Sequence, residues 1–167
     1  MSDEFARDLA VACGGLDSAR EGLLAVVGAL AEDDLERARR GGWSVRKVLE
    51  HVIHSEWLYA RLATHLRGDS PPEGGTLTET GPPPIGSTPT DTTEEPPVAF
   101  TSVAEAVRQL DAVRAALLAA IDGIDEESFY RLQTVGHEEY SVLSLLENVA
   151  LHDREHGPQV QEILAAS

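Results

Sequence analysis

Between Gly68 and Phe100 lie 33 residues that hold eight of the chain's nine prolines. Proline has no backbone N–H and a fixed φ, so this stretch, rich also in Gly, Ser, Thr and Glu, supports neither a helix interior nor a sheet ladder. On both sides of it apolar residues recur at helical spacing, and no segment alternates as a half-buried strand does. The expectation is an all-α chain of two helical halves. Their link is too long for an ordinary connection, so it either crosses the bundle lengthwise, making the second and third helices parallel neighbours, or hangs outside as a lid. The 167 residues fit one domain spanning positions 1–167.

Four helices are legible. The first carries Phe5, Leu9, Ala12, Cys13, Leu16, Leu23, Val27 and Leu30 on one stripe, through Gly14-Gly15. The second opens at Ser44, an N-cap candidate, and runs to about Arg67, with Gly68 as its stop. The third opens with Ser102 and Glu105 in capping-box spacing and shows Val103, Val107, Leu110, Leu117, Leu118 and Ile121 on one face. The fourth opens at Ser141 with Val142, Leu145, Leu146 and Val149, and is expected to kink or restart at Pro158, which offers no N–H to the Arg154 carbonyl. Four amphipathic helices of this length make a four-helix bundle. Trp43-Ser44-Val45 with Leu49-Glu50-His51-Val52 also echoes Tyr140-Ser141-Val142 with Leu146-Glu147-Asn148-Val149 at an offset of 97. Two related hairpins explain the echo, and so does the general likeness of capped amphipathic helices.

Charge narrows the partners. With 13 Lys and Arg against 29 Asp and Glu the net charge is −16, so a phosphate backbone or an anionic lipid surface is repelled and nucleic acid is not expected. The single Cys13 forms no internal disulfide, the N-terminus has no leader-like pattern, and no apolar run is long enough to span a bilayer. The expected location is the cytoplasm.

Polar groups stand where a core is expected. On the second helix the apolar face centred on Val52 includes Glu56, with His51 at its margin, while Lys47, His54, Arg61 and His65 lie opposite. On the fourth, Asp153 and His156 project into the apolar stripe and His152 lies on its edge. His152 and His156, four apart, stack on one helical face and can reach a single divalent ion. His51 is the natural third ligand, and three imidazoles leave an open position on the ion. The plainer alternative is a histidine pair satisfied by carboxylates or water. His152-Asp153-Arg154-Glu155-His156 is not the H-E-x-x-H of zinc proteases, and Val48, Val149 and Asp153 three residues before the histidines rule out the Glu-x-x-His of di-iron bundles. Aromatic content of 5% leaves little to enclose a haem.

Trp43-Ser44-Val45 leading into His51 and Glu56, followed at a distance by His152-Asp153-Arg154-Glu155-His156 and Gln159, resembles the DinB/YfiT-like superfamily of metal-dependent enzymes. The resemblance implies a four-helix bundle of unusual connectivity, a Zn²⁺ or Ni²⁺ ion held by His51, His152 and His156, and often a homodimer. Characterised relatives include thiol transferases that use bacillithiol or mycothiol, and a mycothiol-dependent maleylpyruvate isomerase. A thiol on such an ion loses its proton at neutral pH and attacks an electrophilic carbon. Glu56 and Asp153 are then candidates for a general base, or for residues that orient a ligand histidine. Arg114, near the apolar face of the third helix, either binds a substrate carboxylate or pairs internally with Asp153 or Glu56. Two functions follow: a metal-dependent thiol S-transferase or isomerase acting on a small molecule, or a non-catalytic stress-related or small-ligand-binding bundle whose metal is structural. Trp57, Cys13, His137, Tyr59 and Tyr140 are read as surface, core or capping residues.

Overall fold

A computed structural model of the chain describes residues 2–68 and 99–166. The helices are α1 (Asp3–Val27), α2 (Val45–Leu66), α3 (Val103–Ile121), a short α4 (Glu126–Tyr130) and α5 (Val142–Ala165), with a hairpin of β1 (Gln133–Val135) and β2 (Glu138–Tyr140) between the last two. The expected caps form. Ser44 Oγ accepts from Lys47 N, Ser102 Oγ from Glu105 N, and Ser141 and Ser144 cap each other reciprocally. Three small elements lacked a periodic signal because they are too short to show one: a 3₁₀ turn at Glu32–Glu36, α4, and the hairpin, whose tight turn uses Gly136 at φ 66°.

The four long helices pack as a bundle. Arg46 Nη1 donates to the Phe100 carbonyl at the start of α2 and α3, and Arg67 Nη1 donates to the Ala120 carbonyl at 3.1 Å at their ends. The two helices therefore run parallel. The proline-rich crossover or lid falls almost wholly on residues 69–98, outside the described residues.

Pro158 does not break α5, which runs continuously from Val142 to Ala165. This corrects the expected restart. Gly157 before it carries no Cβ to crowd the proline ring, and Val160 and Ile163 are buried beyond it, so packing holds the last two turns despite one missing hydrogen bond.

The core is in two parts. One joins Phe5, Leu16, Leu62, Leu66, Leu117, Phe129, Leu145 and Leu146, and the other Leu23, Val27, Val48, Leu49, Ile53, Leu110, Val160 and Ile163. Between them runs a buried polar layer of Arg20, Ser55, Glu56, Arg114, His152, Asp153 and His156, to which every long helix contributes. Among the described residues no helix is long and apolar enough to cross a membrane.

Candidate metal centre

His51 stands on α2, partly buried, and His152 and His156 on α5, both buried. Their ligand nitrogens all lie within 4.8 Å of one another. The Nε2 of His152 is 2.9 Å from that of His51 and 3.0 Å from that of His156. The spacing of four on α5 stacks its two rings, with centroids 4.3 Å apart, and the antiparallel α2 brings the third ring in edge-on. Trp43, just before the α2 cap, packs against His51 with centroids at 5.1 Å.

These nitrogens cannot satisfy one another as neutral rings. His156 Nδ1 lies 2.5 Å from Gln159 Oε1, one turn on, and is assigned the ring proton because it faces an amide oxygen. That leaves His156 Nε2 with a bare lone pair. If His152 Nε2 carries a proton toward it, His51 Nε2 meets a nitrogen that cannot accept. If His152 Nε2 is bare, it meets the lone pair of His156. Either way one close contact is not a hydrogen bond, whereas a cation between the three accepts all of their lone pairs.

The protonation states agree with this. Burial, then the charge of His156, pushes the His51 imidazole down to about 4. Burial, followed by His156, His51 and the Arg20 guanidinium, pushes His152 down to about 2. Burial also lowers His156, against the pull of Gln159 and nearby carboxylates. All three rings are neutral at physiological pH, the form that binds metal.

Glu56 and Asp153, 2% and 1% exposed, do not hydrogen-bond the histidines; they are bound to two arginines. Arg20 Nε donates to Asp153 Oδ2 at 2.8 Å and Nη2 to Asp153 Oδ1 at 3.2 Å and to Glu56 Oε2. Arg114 Nε donates to Glu56 Oε1 at 2.5 Å and Nη2 to Asp153 Oδ2 at 2.9 Å. Each remaining Nη1 reaches a carbonyl of the other arginine's helix: Arg20 to Leu110 at 2.7 Å, Arg114 to Leu16 at 2.8 Å. The four side chains come from four different helices and their formal charges cancel. Burial opposes the Arg20 cation, but Glu56 and Asp153 outweigh it and raise its pKa. Of the two expectations for Arg114, the internal ion pair is the one the geometry displays.

This ring obeys a two-fold exchange. Swapping Arg20 with Arg114, Leu16 with Leu110 and Glu56 with Asp153 reproduces the bonding, apart from a second Arg20 contact to Asp153. Glu56 and Asp153 are 97 residues apart, the offset of the sequence echo, so the hairpins α1–α2 and α3–α5 are related by a pseudo-dyad through the ring.

Arg20 escaped the sequence reading. Its signal is its position, since Leu16, Arg20, Leu23 and Val27 form one stripe and a charge there needs a partner. His137 is exposed in the hairpin turn, and His54 lies beside Trp57 on α2, ring centroids 6.1 Å apart. Burial, aided by Asp17, pushes the Cys13 thiol up, away from nucleophilic use. Tyr59 and Tyr140 are buried. A groove of about 400 Å³ between α1 and α5, lined by Val11, Gly15, Glu147 and Arg154 among others, includes none of the three histidines. Donor chemistry, not concavity, marks the site.

A search against family models matches residues 16–160 to the DinB superfamily, a span that takes in all three histidines and the whole ring. The chain belongs to the DinB superfamily. No curated protein and no solved structure matches it. In this DinB superfamily member, as the resemblance implied, the three histidines form a buried cluster able to hold a metal ion.

Proposed function

We propose that this DinB superfamily protein is a divalent-metal-dependent enzyme that transfers a low-molecular-weight thiol, such as mycothiol, to a small electrophile, or isomerises such a substrate. The observation that carries the reading is the meeting of three neutral Nε2 atoms that have no mutual hydrogen-bonding solution. Imidazole donors suit Zn²⁺ and Ni²⁺. When bound, such an ion supplies Lewis acidity that favours the deprotonated form of a thiol.

The chain's own residues prepare for this. Gln159 holds His156 in the tautomer that aims a lone pair inward, and Trp43 braces the His51 ring. Neutral imidazoles add no charge to a cation, and the buried Glu56 and Asp153 are engaged by Arg20 and Arg114 rather than free to ligate it. Such a centre keeps its full positive charge and favours an anionic partner such as a thiolate. In this reading Glu56, Asp153 and Arg114 hold the helices and do not touch substrate.

Metal analysis of protein purified without a histidine tag tests the first step, with a stoichiometric divalent ion expected. Incubation with mycothiol, bacillithiol or glutathione and a model electrophile tests the second. Loss of free thiol only in the metal-loaded protein supports a transferase. Stoichiometric metal with neither thiol consumption nor thiol-dependent isomerisation of a small unsaturated substrate supports the non-catalytic ligand-binding reading instead.

A further inference from the structure

The two arginines of the ring are equivalent by the pseudo-dyad but stand in unlike surroundings. Arg20 grips both oxygens of Asp153, with Nε at 2.8 Å from Oδ2 and Nη2 at 3.2 Å from Oδ1, a fork that fixes the carboxylate in rotation as well as position. Asp153 directly follows His152 and precedes His156 by three residues. Arg114 reaches Asp153 through Nη2 alone and makes its shortest bond, 2.5 Å, to Glu56. Glu56 follows Ser55 and precedes Tyr59 by three, the dyad equivalents of His152 and His156, where no metal ligand stands.

We propose that Arg20, and not its symmetry mate Arg114, is the positioning residue of the metal centre: its fork on Asp153 sets the rotation of α5 that brings His152 and His156 to meet His51. The inference rests on the metal reading above. Its physical content is preorganisation. α2 and α5 carry the ligands and also carry two buried carboxylates that repel each other, so their facing at this depth depends on the cations from α1 and α3. A ligand whose support is loosened binds its ion tenfold to hundredfold more weakly, as is typical of outer hydrogen-bonding partners.

The symmetry supplies the control. R20K and R114K each keep the charge and lose the planar fork, so both are expected to lower the unfolding midpoint of the metal-free protein by similar amounts. R20K is expected to weaken Zn²⁺ binding about tenfold to hundredfold in chelator competition at pH 7, and to shift the visible bands of the Co²⁺-substituted protein. R114K is expected to leave affinity within about twofold and the Co²⁺ bands unmoved. Equal changes in both variants, or no change in either, overturn the assignment. If the lysine variants fail to fold, the pairs R20Q/D153N and R114Q/E56Q carry the same comparison without a buried uncompensated charge. A wild-type protein that takes up neither Zn²⁺ nor Co²⁺ overturns the metal reading itself. That result differs from a wild type that binds metal alongside an unaltered R20K.

Discussion

Across the pseudo-dyad α2 and α5 offer the same three positions, and the two sides are filled with opposite chemistry. His51, His152 and His156 stand on one side; Asn148, Ser55 and Tyr59 stand at the equivalent places on the other, each 97 residues away. Burial is matched, with the first of each set partly exposed and the other two buried. The bonding of the ring between them is nearly the same from either side. One scaffold thus presents two similar niches, and only one is filled with three imidazoles whose facing Nε2 atoms cannot all satisfy one another. The bundle supplies depth and facing. The residue types alone supply the metal chemistry.

The sharpest way to break this contrast is to remove a ligand. His152 makes close contacts to both other rings, so His152→Ala is expected to abolish stoichiometric metal, a loss of at least about a thousandfold in affinity. Ser55→Ala, at the equivalent place, is expected to leave metal content unchanged. Inductively coupled plasma analysis of both proteins reads the result directly. Equal metal content in the two variants would mean that the ion, if any, sits elsewhere. Next in size is the ring, where the sides are expected to behave alike. Glu56→Leu or Asp153→Leu leaves two buried guanidiniums with one carboxylate, and each is expected to destabilise the metal-free fold by about 3–5 kcal/mol in urea titration. A cost below about 1 kcal/mol, the value of an exposed pair, would show that water reaches the layer.

Acid separates the niches again. In the metal-free protein His51 and His152 protonate near about 4 and about 2, while the unfolded chain takes up those protons near 6.5. The fold therefore binds fewer protons than the unfolded chain below pH 6.5. Stability is fully present above that pH and is lost progressively as pH falls toward 4. For the two rings together the loss by pH 4 is on the order of 5 kcal/mol, after discounting the partial exposure of His51. Urea unfolding at pH 7, 5.5 and 4.5 reads the slope, and a His51→Asn/His152→Ser protein, which copies the opposite niche, is expected to flatten it. Identical slopes in the two proteins would place the acid sensitivity in the carboxylates.

Most of the bundle was legible because its stripes are long: seven apolar positions of the first stripe fall within α1, and clear caps at Ser44, Ser102 and Ser141 leave little choice. The three histidines were legible for a different reason, since helical projection places each near a face where an unpaired polar group is costly. The same projection showed Glu56 and Asp153 pointing inward but not what they met there. Their partner Arg20 lay on a helix read for its apolar residues, and an ion pair between helices 133 residues apart leaves no periodic trace. α5 failed to break at Pro158 because tertiary burial of Val160 and Ile163 outweighs a local rule. The hairpin and α4 are shorter than the window over which any period is measurable.

The smallest expected effect concerns Gln159, and it decides how the histidine side is tuned. Among the described residues its amide oxygen is the one hydrogen-bonding partner that the three rings have outside themselves, at 2.5 Å from His156 Nδ1. It fixes which nitrogen of that ring faces the centre, and makes the facing lone pair more basic. Gln159→Leu removes this acceptor while keeping nearly the same volume on a turn already packed within α5. Metal affinity is expected to fall about tenfold with little change in apo stability, because the variant loses a tautomer preference and not a core contact. Position 62, its equivalent across the dyad, is already leucine and fully buried, which shows that the fold accepts that side chain at the corresponding turn. Chelator competition on Gln159→Leu against wild type measures the difference, and an unchanged affinity would mean that the other two rings alone set the geometry of the ion.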